Sequence, residues 1–191
     1  MSAFVFKNRG AILSIGALLL VIFGRPSPAG AAAGVIVALL GEALRIWAVG
    51  YSGVTTRADH VTAPALVTAG PYAYVRNPLY VGNFITAVGF TIAFVSGLAA
   101  LPALVLTAVA LGLMVVTYAI IIPYEEAYLA GTFGEPFAAY MRAVPRVIPR
   151  PPRERGAGTY RPEVIWRAET RTFVTFAVVL VILAVRLWLL R

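Results

Sequence analysis

The residues of this chain that could do chemistry are few, and they gather in two places. Arg76-Asn77-Pro78 follows Gly70-Pro71 and the tyrosines Tyr72 and Tyr74, while the adjacent carboxylates Glu125 and Glu126 follow Tyr124. A sparser third set is Glu42 and Arg45, three residues apart and therefore on one helical face. There is no cysteine and only one histidine, His60, so disulfides, thiol nucleophiles, iron–sulfur clusters and His/Cys metal sites are excluded or nearly so. Carboxylates, tyrosines, arginines and backbone groups remain. That inventory favours a reaction whose reactive group arrives on a cofactor, with no metal involved.

The elements that must position these residues are membrane helices. Of 191 residues 60% are hydrophobic and 13% charged, with a mean hydropathy of +0.85, and the apolar residues come in long uninterrupted runs. The fold class expected is all-α, an integral membrane bundle of about five transmembrane helices. It reads as a single membrane domain over 1–191, with spans at about 8–24, 29–51, 79–96, 98–123 and 172–190 and polar segments at 52–78 and 124–171. Lys7 and Arg9 ahead of the first apolar run resemble a secretory signal, but the segment is expected to be retained as the first span. Tyr128, Leu129, Phe133, Phe137 and Tyr140 suggest an amphipathic helical piece on the membrane plane, followed by a proline-rich linker from Pro149 to Pro162.

Charge sets the orientation. Twelve cations, among them Lys7, Arg9, Arg57, Arg76 and the arginines from Arg142 to Arg171, fall on one face, against Arg25, Arg186 and Arg191 on the other. The positive-inside rule then makes the N-terminus and both polar segments cytoplasmic and the C-terminus external, in the cell membrane. The net charge of +8 is carried by arginines that flank apolar runs rather than by a basic face interleaved with aromatics, so membrane lipids, not nucleic acid, are the expected partner.

Only a tight turn around Gly97 separates the third span from the fourth, so the two form an antiparallel hairpin. Pro78 lies some twenty residues from that turn and Glu125 some twenty-seven, or roughly 30 and 40 Å at the helical rise, so both emerge on one face. Pro78 is placed as the first residue of its helix, where its missing N–H is no loss. Two carboxylates at a helix C-terminal end oppose the macrodipole, which is either the mark of a site or simply a solvated end. Glu42 and Arg45 likewise read either as a structural ion pair or as part of a substrate pocket.

The stretch LVTAGPYAYVRNPLYVGN (66–83), followed by YEEAYL, FGEPFAAY and VPRVIP, resembles the isoprenylcysteine carboxyl methyltransferase and phospholipid methyltransferase family of membrane-embedded enzymes. The resemblance covers about Arg57 to Pro149. It implies S-adenosylmethionine as cofactor, with S-adenosylhomocysteine as product, on the cytoplasmic side. It further implies that Leu66 and Val67 contact the cofactor through their backbone and Tyr72 packs against it. Asn77, Pro78 and Tyr80 would line its cleft, Glu125 would bind it directly, and Arg57 falls near a polar family position.

The chemistry of the cofactor agrees. Its ribose diol wants a carboxylate acceptor, which Glu125 or Glu126 supplies. Its methionine carboxylate wants an arginine fork or free N–H groups, for which Arg76, Arg57 and the Gly70 turn are candidates. The sulfonium tolerates the aromatic faces of Tyr72, Tyr74 and Tyr80.

Two departures bear on the substrate. Asn77 stands where the family usually has histidine, which loses a titratable ring. The arginine that precedes the acidic pair in prenylcysteine enzymes, thought to hold the substrate carboxylate, is replaced within Ile120-Ile121-Ile122, so a prenylcysteine carboxylate is not the expected acceptor. Methyl transfer from a sulfonium needs alignment more than a protein nucleophile. The expected acceptor is a lipophilic or isoprenoid-type small molecule from the bilayer, with Glu126 or Glu42 as base, His60 a weaker candidate, and Arg76 among the catalytic groups. The competing expectations are a non-catalytic scaffold or lipid-binding protein, and a sterol-reductase-like membrane reductase binding a nicotinamide cofactor.

Overall fold

The computed structural model describes residues 1–53, 63–152 and 156–190, and among these the chain is helical with no strand. Its elements are α1 (Ser2–Phe23), α2 (Pro28–Ser52), a 3-10 turn (Gly70–Ala73), α3 (Pro78–Val95), α4 (Ala100–Phe133), α5 (Glu135–Ala143) and α6 (Glu163–Leu189). Helices α1, α2, α3, α4 and α6 are long and apolar enough to cross a membrane, and the protein is an integral membrane protein.

The helix ends follow from local chemistry. Pro28 opens α2, with the Ser27 hydroxyl accepting from Gly30 N at 3.2 Å, and Pro78 opens α3. At the opposite ends, Ser27 N donates to Ser96 Oγ at 2.9 Å and Gly97 N donates to Arg25 O at 2.7 Å, which lashes the α1–α2 turn to the α3–α4 turn. Three boundaries lie beyond those read from hydropathy, the first being α1, which begins at Ser2 rather than near residue 8. Helix α4 continues through Pro123 to Phe133, because a membrane helix tolerates the lost N–H where neighbours pack against it. Helix α6 begins at Glu163, so its first turns are polar. The aromatics read as one amphipathic piece are divided: Tyr128, Leu129 and Phe133 end α4, whereas Phe137 and Tyr140 are buried on α5.

Helices pack by small residues rather than by hydrophobic drive, as expected where lipid is as apolar as the protein. Antiparallel α2 and α3 approach through Gly34 and Gly41 on one side and Gly82 and Gly89 on the other. Gly34 faces Gly89 and Gly41 faces Gly82, and a Cβ at Gly82 would come within 2.7 Å of Arg45 Cγ and 2.9 Å of Gly41 O. Helix α1 packs mainly on α4, with Gly16 over Ala110, and α6 packs on α2. Apolar clusters close the interior at two levels. Phe6, Met114, Tyr118 and Ile121 meet near the end that carries the N-terminus, and Leu20, Ala93, Phe94, Leu106 and Leu183 meet at the other. There Arg186 Nη2 also donates to Gly24 O, joining α6 to α1.

Candidate functional site

The α3–α4 hairpin brings Arg76 and Glu126 into direct contact. Arg76 Nε and Nη2 both lie 3.0 Å from Glu126 Oε1, and Arg76 Nη1 donates to Met141 O at 2.8 Å and Val144 O at 2.7 Å. The other carboxylate oxygen, Glu126 Oε2, accepts from Arg146 Nη2 at 2.6 Å. Asn77 Nδ2 donates to Arg146 O at 3.0 Å, Arg76 N to Pro145 O at 2.8 Å, and Tyr140 OH to Tyr72 O at 2.8 Å. Glu126 is thereby held between two guanidiniums, and Arg76 spends its fork on an ion pair and two helix-end carbonyls. Both side chains work as the pin that fixes α5 and the chain after it against the start of α3.

Its neighbour Glu125 turns the other way. Tyr80 OH donates to Glu125 Oε1 at 2.7 Å, and the Tyr80 and Tyr118 rings lie 4.7 Å apart. Tyr72, on the 3-10 turn, has its phenol pushed up to about 12, chiefly by burial and further by the negative charge of Glu125, against the pull of a hydrogen bond with the Ser52 side chain. The phenol therefore stays protonated at neutral pH. Burial also raises the Tyr140 phenol, in keeping with its role as donor to Tyr72 O.

One helical level deeper, Arg45 ties three helices together. Its Nη2 donates to Glu169 Oε2 at 2.6 Å and to Thr172 Oγ1 at 3.4 Å on α6, its Nη1 donates to Asn83 Oδ1 on α3, and its Nε lies 3.6 Å from Glu42 Oε2. Glu169 is 0% exposed. The Glu42–Arg45 pairing read from spacing is present, while Glu169 and Thr172 were beyond sequence reasoning: they sit more than a hundred residues away, in or next to the polar stretch Arg167-Ala168-Glu169-Thr170-Arg171 that reads as a solvated helix start.

All these levels open into one cavity of about 640 Å³. Its upper part is polar, with Leu66, Val67, Tyr72, Asn77, Tyr80, Glu125, Glu42 and Arg45 on the wall; its lower part is apolar, between Leu13 and Leu20 of α1, Phe90 and Phe94 of α3, Met114 of α4 and Phe176 of α6. Arg76 and Glu126 border it with their charges committed to each other. Gly70 and Pro78 do not line it. Gly70, at φ +61°, packs where a Cβ would strike the Tyr51 ring, and Pro78 is fully buried at the start of α3. Arg57 and His60 lie outside the described residues.

A strap that hydropathy reads only as linker fixes the Leu66–Val67 backbone. Thr68 N and Ala69 N donate to Ala157 O at 2.9 and 3.1 Å, and Ala157 N donates to Thr68 Oγ1 at 2.8 Å. Arg161 N donates to Gly50 O at 2.7 Å, and the Tyr160 ring covers Gly50 and lies 5.4 Å from that of Tyr51. The signal in the sequence is the small-residue run Gly156-Ala157-Gly158, which permits this close approach.

Comparison with known proteins gives the site a context. Residues 29–136 match the family model for phospholipid methyltransferase. The chain is 43% identical over 94 residues to the protein-S-isoprenylcysteine O-methyltransferase of Schizosaccharomyces pombe, covering 48% of this chain and 34% of that protein. It is 34% identical over 108 residues to the cobalt-zinc-cadmium resistance protein CzcN of Cupriavidus metallidurans, covering 56% of this chain and 44% of that one. The chain thus spans less than half the length of either relative. No solved structure matches. The family match takes in α2, α3, α4 and the turn between them, which together carry Arg76, Tyr80, Glu125 and most of the cavity wall, and the chain belongs to the phospholipid methyltransferase family.

Proposed function

We propose that this protein is an S-adenosylmethionine-dependent methyltransferase acting at the membrane on a lipophilic, isoprenoid-type small acceptor, with the polar mouth of the cavity on the cytoplasmic side. The observation that carries the reading is the Glu125 carboxylate, held at 2.7 Å by Tyr80 OH on the wall of a cavity that is polar above and apolar below. A volume of about 640 Å³ falls in the range of small-molecule sites, on the order of 300–1,000 Å³. The donor set also fits the cofactor: a carboxylate for hydroxyl donors, a protonated phenol at Tyr72, and the rings of Tyr72, Tyr80 and Tyr118 for a sulfonium. S-adenosylmethionine, when bound, supplies a methyl group already activated on sulfur.

The chain's own residues bind, orient and exclude water. Glu125 accepts from the ribose diol, Leu66 and Val67 offer backbone groups from a segment that the 156–161 strap holds still, and Asn77 and Tyr80 border the cleft. Arg76 and Glu126, expected from the sequence to act in the chemistry, serve here as positioning residues, because their charges are spent on each other, on Arg146 and on two carbonyls. Glu42 is then the cavity-facing carboxylate suited to take a proton from the acceptor, beside Arg45. The apolar lower part suits the acceptor's hydrocarbon.

Calorimetry on the full chain in detergent tests the reading: S-adenosylhomocysteine binds, and Glu125→Gln weakens it more than about tenfold, ~1.4 kcal/mol. Radiolabelled methyl transfer into lipid, thiol and quinone extracts identifies the acceptor. A folded sample that binds no S-adenosylhomocysteine refutes the proposal.

A further inference from the structure

Helix α3 turns Gly82, Thr86, Gly89 and Ala93 towards α2, and there Thr86 Oγ1 donates to Ala38 O at 3.4 Å. The row Tyr80, Asn83, Ala87, Thr91 and Phe94, spaced three or four residues apart, lies on another side of the helix and lines the cavity from its mouth to its apolar depth. Thr91 is the polar member of the deep half of that row. It stands eleven residues beyond Tyr80, roughly 16 Å at the helical rise. The packing at this depth is apolar: Phe94 meets Leu20 and Leu106, Phe90 and Val179 lean on that cluster, and the Phe90 and Phe176 rings lie 5.0 Å apart. Thr175 of α6, also on the wall, commits its hydroxyl to Arg171 O at 2.8 Å.

Thr91 is 2% exposed, and its Oγ1 is buried without a hydrogen-bond partner among the described residues. The other threonine buried among them, Thr117, spends its hydroxyl on Leu113 O at 2.7 Å, one helical turn back. A hydroxyl shut into apolar surroundings with nothing to bond carries a desolvation penalty that a valine of the same shape avoids. A water there would need two to four polar partners of its own, and the groups packed at this depth are aromatic and aliphatic. Resting on the methyl-acceptor reading given above, we propose that Thr91 is a specificity-determining residue whose hydroxyl bonds an oxygen function carried part-way along the acceptor's hydrocarbon. The acceptor is then an oxygenated lipid, with a hydroxyl, carbonyl or ether oxygen in its tail, rather than a polar group on an all-hydrocarbon chain. A threonine hydroxyl donates and accepts, so it meets any of the three. The mouth at Tyr80 and Glu125 and the hydroxyl of Thr91 thereby hold one ligand at two levels of the same helix row.

The test uses lipid probes on the full chain in detergent, with binding read from the rise in unfolding temperature followed by tryptophan fluorescence. 1-Octadecanol is the hydrocarbon reference, and octadecanediols with the second hydroxyl on carbon 10, 12 or 14 carry an oxygen at increasing depth. Wild type binds at least one diol about fivefold or more tighter than the mono-alcohol, the size of one net hydrogen bond. Thr91→Val brings that diol within about twofold of the mono-alcohol, and without ligand it unfolds at or above the wild-type temperature, because an unbonded buried hydroxyl has been removed. Thr91→Ser keeps the preference. A wild type that prefers no diol, or a Thr91→Val protein that retains the preference, overturns the assignment. So does an unliganded Thr91→Val protein that unfolds well below wild type or fails to fold, since the hydroxyl is then bonded within the protein. Wild type that prefers a diol but binds no S-adenosylhomocysteine in calorimetry refutes the cofactor reading and leaves the lipid site standing, a result distinct from all of these.

Discussion

Replacing Glu126 by glutamine separates two roles for that carboxylate, proton acceptor or structural pin. The Arg76 and Glu126 side chains are 11% and 8% exposed and meet at 3.0 Å, so removing the charge on one leaves the other buried and uncompensated, a loss of about 3–5 kcal/mol. Arg146 also touches Glu126, at 2.6 Å, but its side chain is 51% exposed, so Arg146→Met costs only about 0.2–1 kcal/mol. Arg76→Met loses more than Glu126→Gln, because the bonds to Met141 O and Val144 O go with it, at about 1 kcal/mol each. The double change Arg76→Met with Glu126→Leu regains much of the loss, since no lone charge stays buried. Equilibrium unfolding in mixed micelles measures all four. The reasoning fails if Arg146→Met costs as much as Arg76→Met. It also fails if Glu126→Gln stays within about 0.5 kcal/mol of wild type yet abolishes methyl transfer, which would return Glu126 to the chemistry.

Three further outcomes are expected. The Tyr72 phenol ionises around pH 12 rather than 10, so the tyrosinate absorbance of wild type minus Tyr72→Phe appears near that pH. Because the folded pKa is raised, this group's contribution to stability is present below pH 10 and is lost as pH climbs from 10 towards 12; a step at 10 would contradict the burial argument. Gly82→Val pushes a side chain into Arg45 Cγ and Gly41 O, so it loosens α2 from α3 and lowers thermal stability by several degrees, whereas Gly112→Ala, with open space around its Cα, leaves it unchanged. Glu169→Gln uncouples α6 from Arg45 and costs about 3 kcal/mol in unfolding, and a change below about 1 kcal/mol would show that α6 is held by its apolar face alone.

Helix number and hairpin pairing were legible in the sequence because they rest on local quantities: the length of apolar runs, the residues of turns and the rise per residue. Counting from Gly97 was enough to bring Arg76 and the acidic pair to one face, and Arg76 meets Glu126 there as an ion pair. The same holds for Glu42 and Arg45, one helical turn apart. Adjacent Glu125 and Glu126, alike in the sequence, diverge in the fold, since neighbouring residues on a helix point about 100° apart. One meets Tyr80 in the cavity, the other a pair of arginines in the pin.

What only the tertiary structure decided is which surfaces face one another. Helix α1 packs mainly on α4, and α6 reaches Arg45 through Glu169, because the glycine contacts of α2 with α3 fix a close pair around which the remaining helices arrange. The strap over Thr68 and the reach of Arg9 to the cavity wall follow from that arrangement. Periodicity specifies a helix and its apolar stripe; partner and rotation come from close approaches between segments far apart in the chain, and no local pattern encodes those.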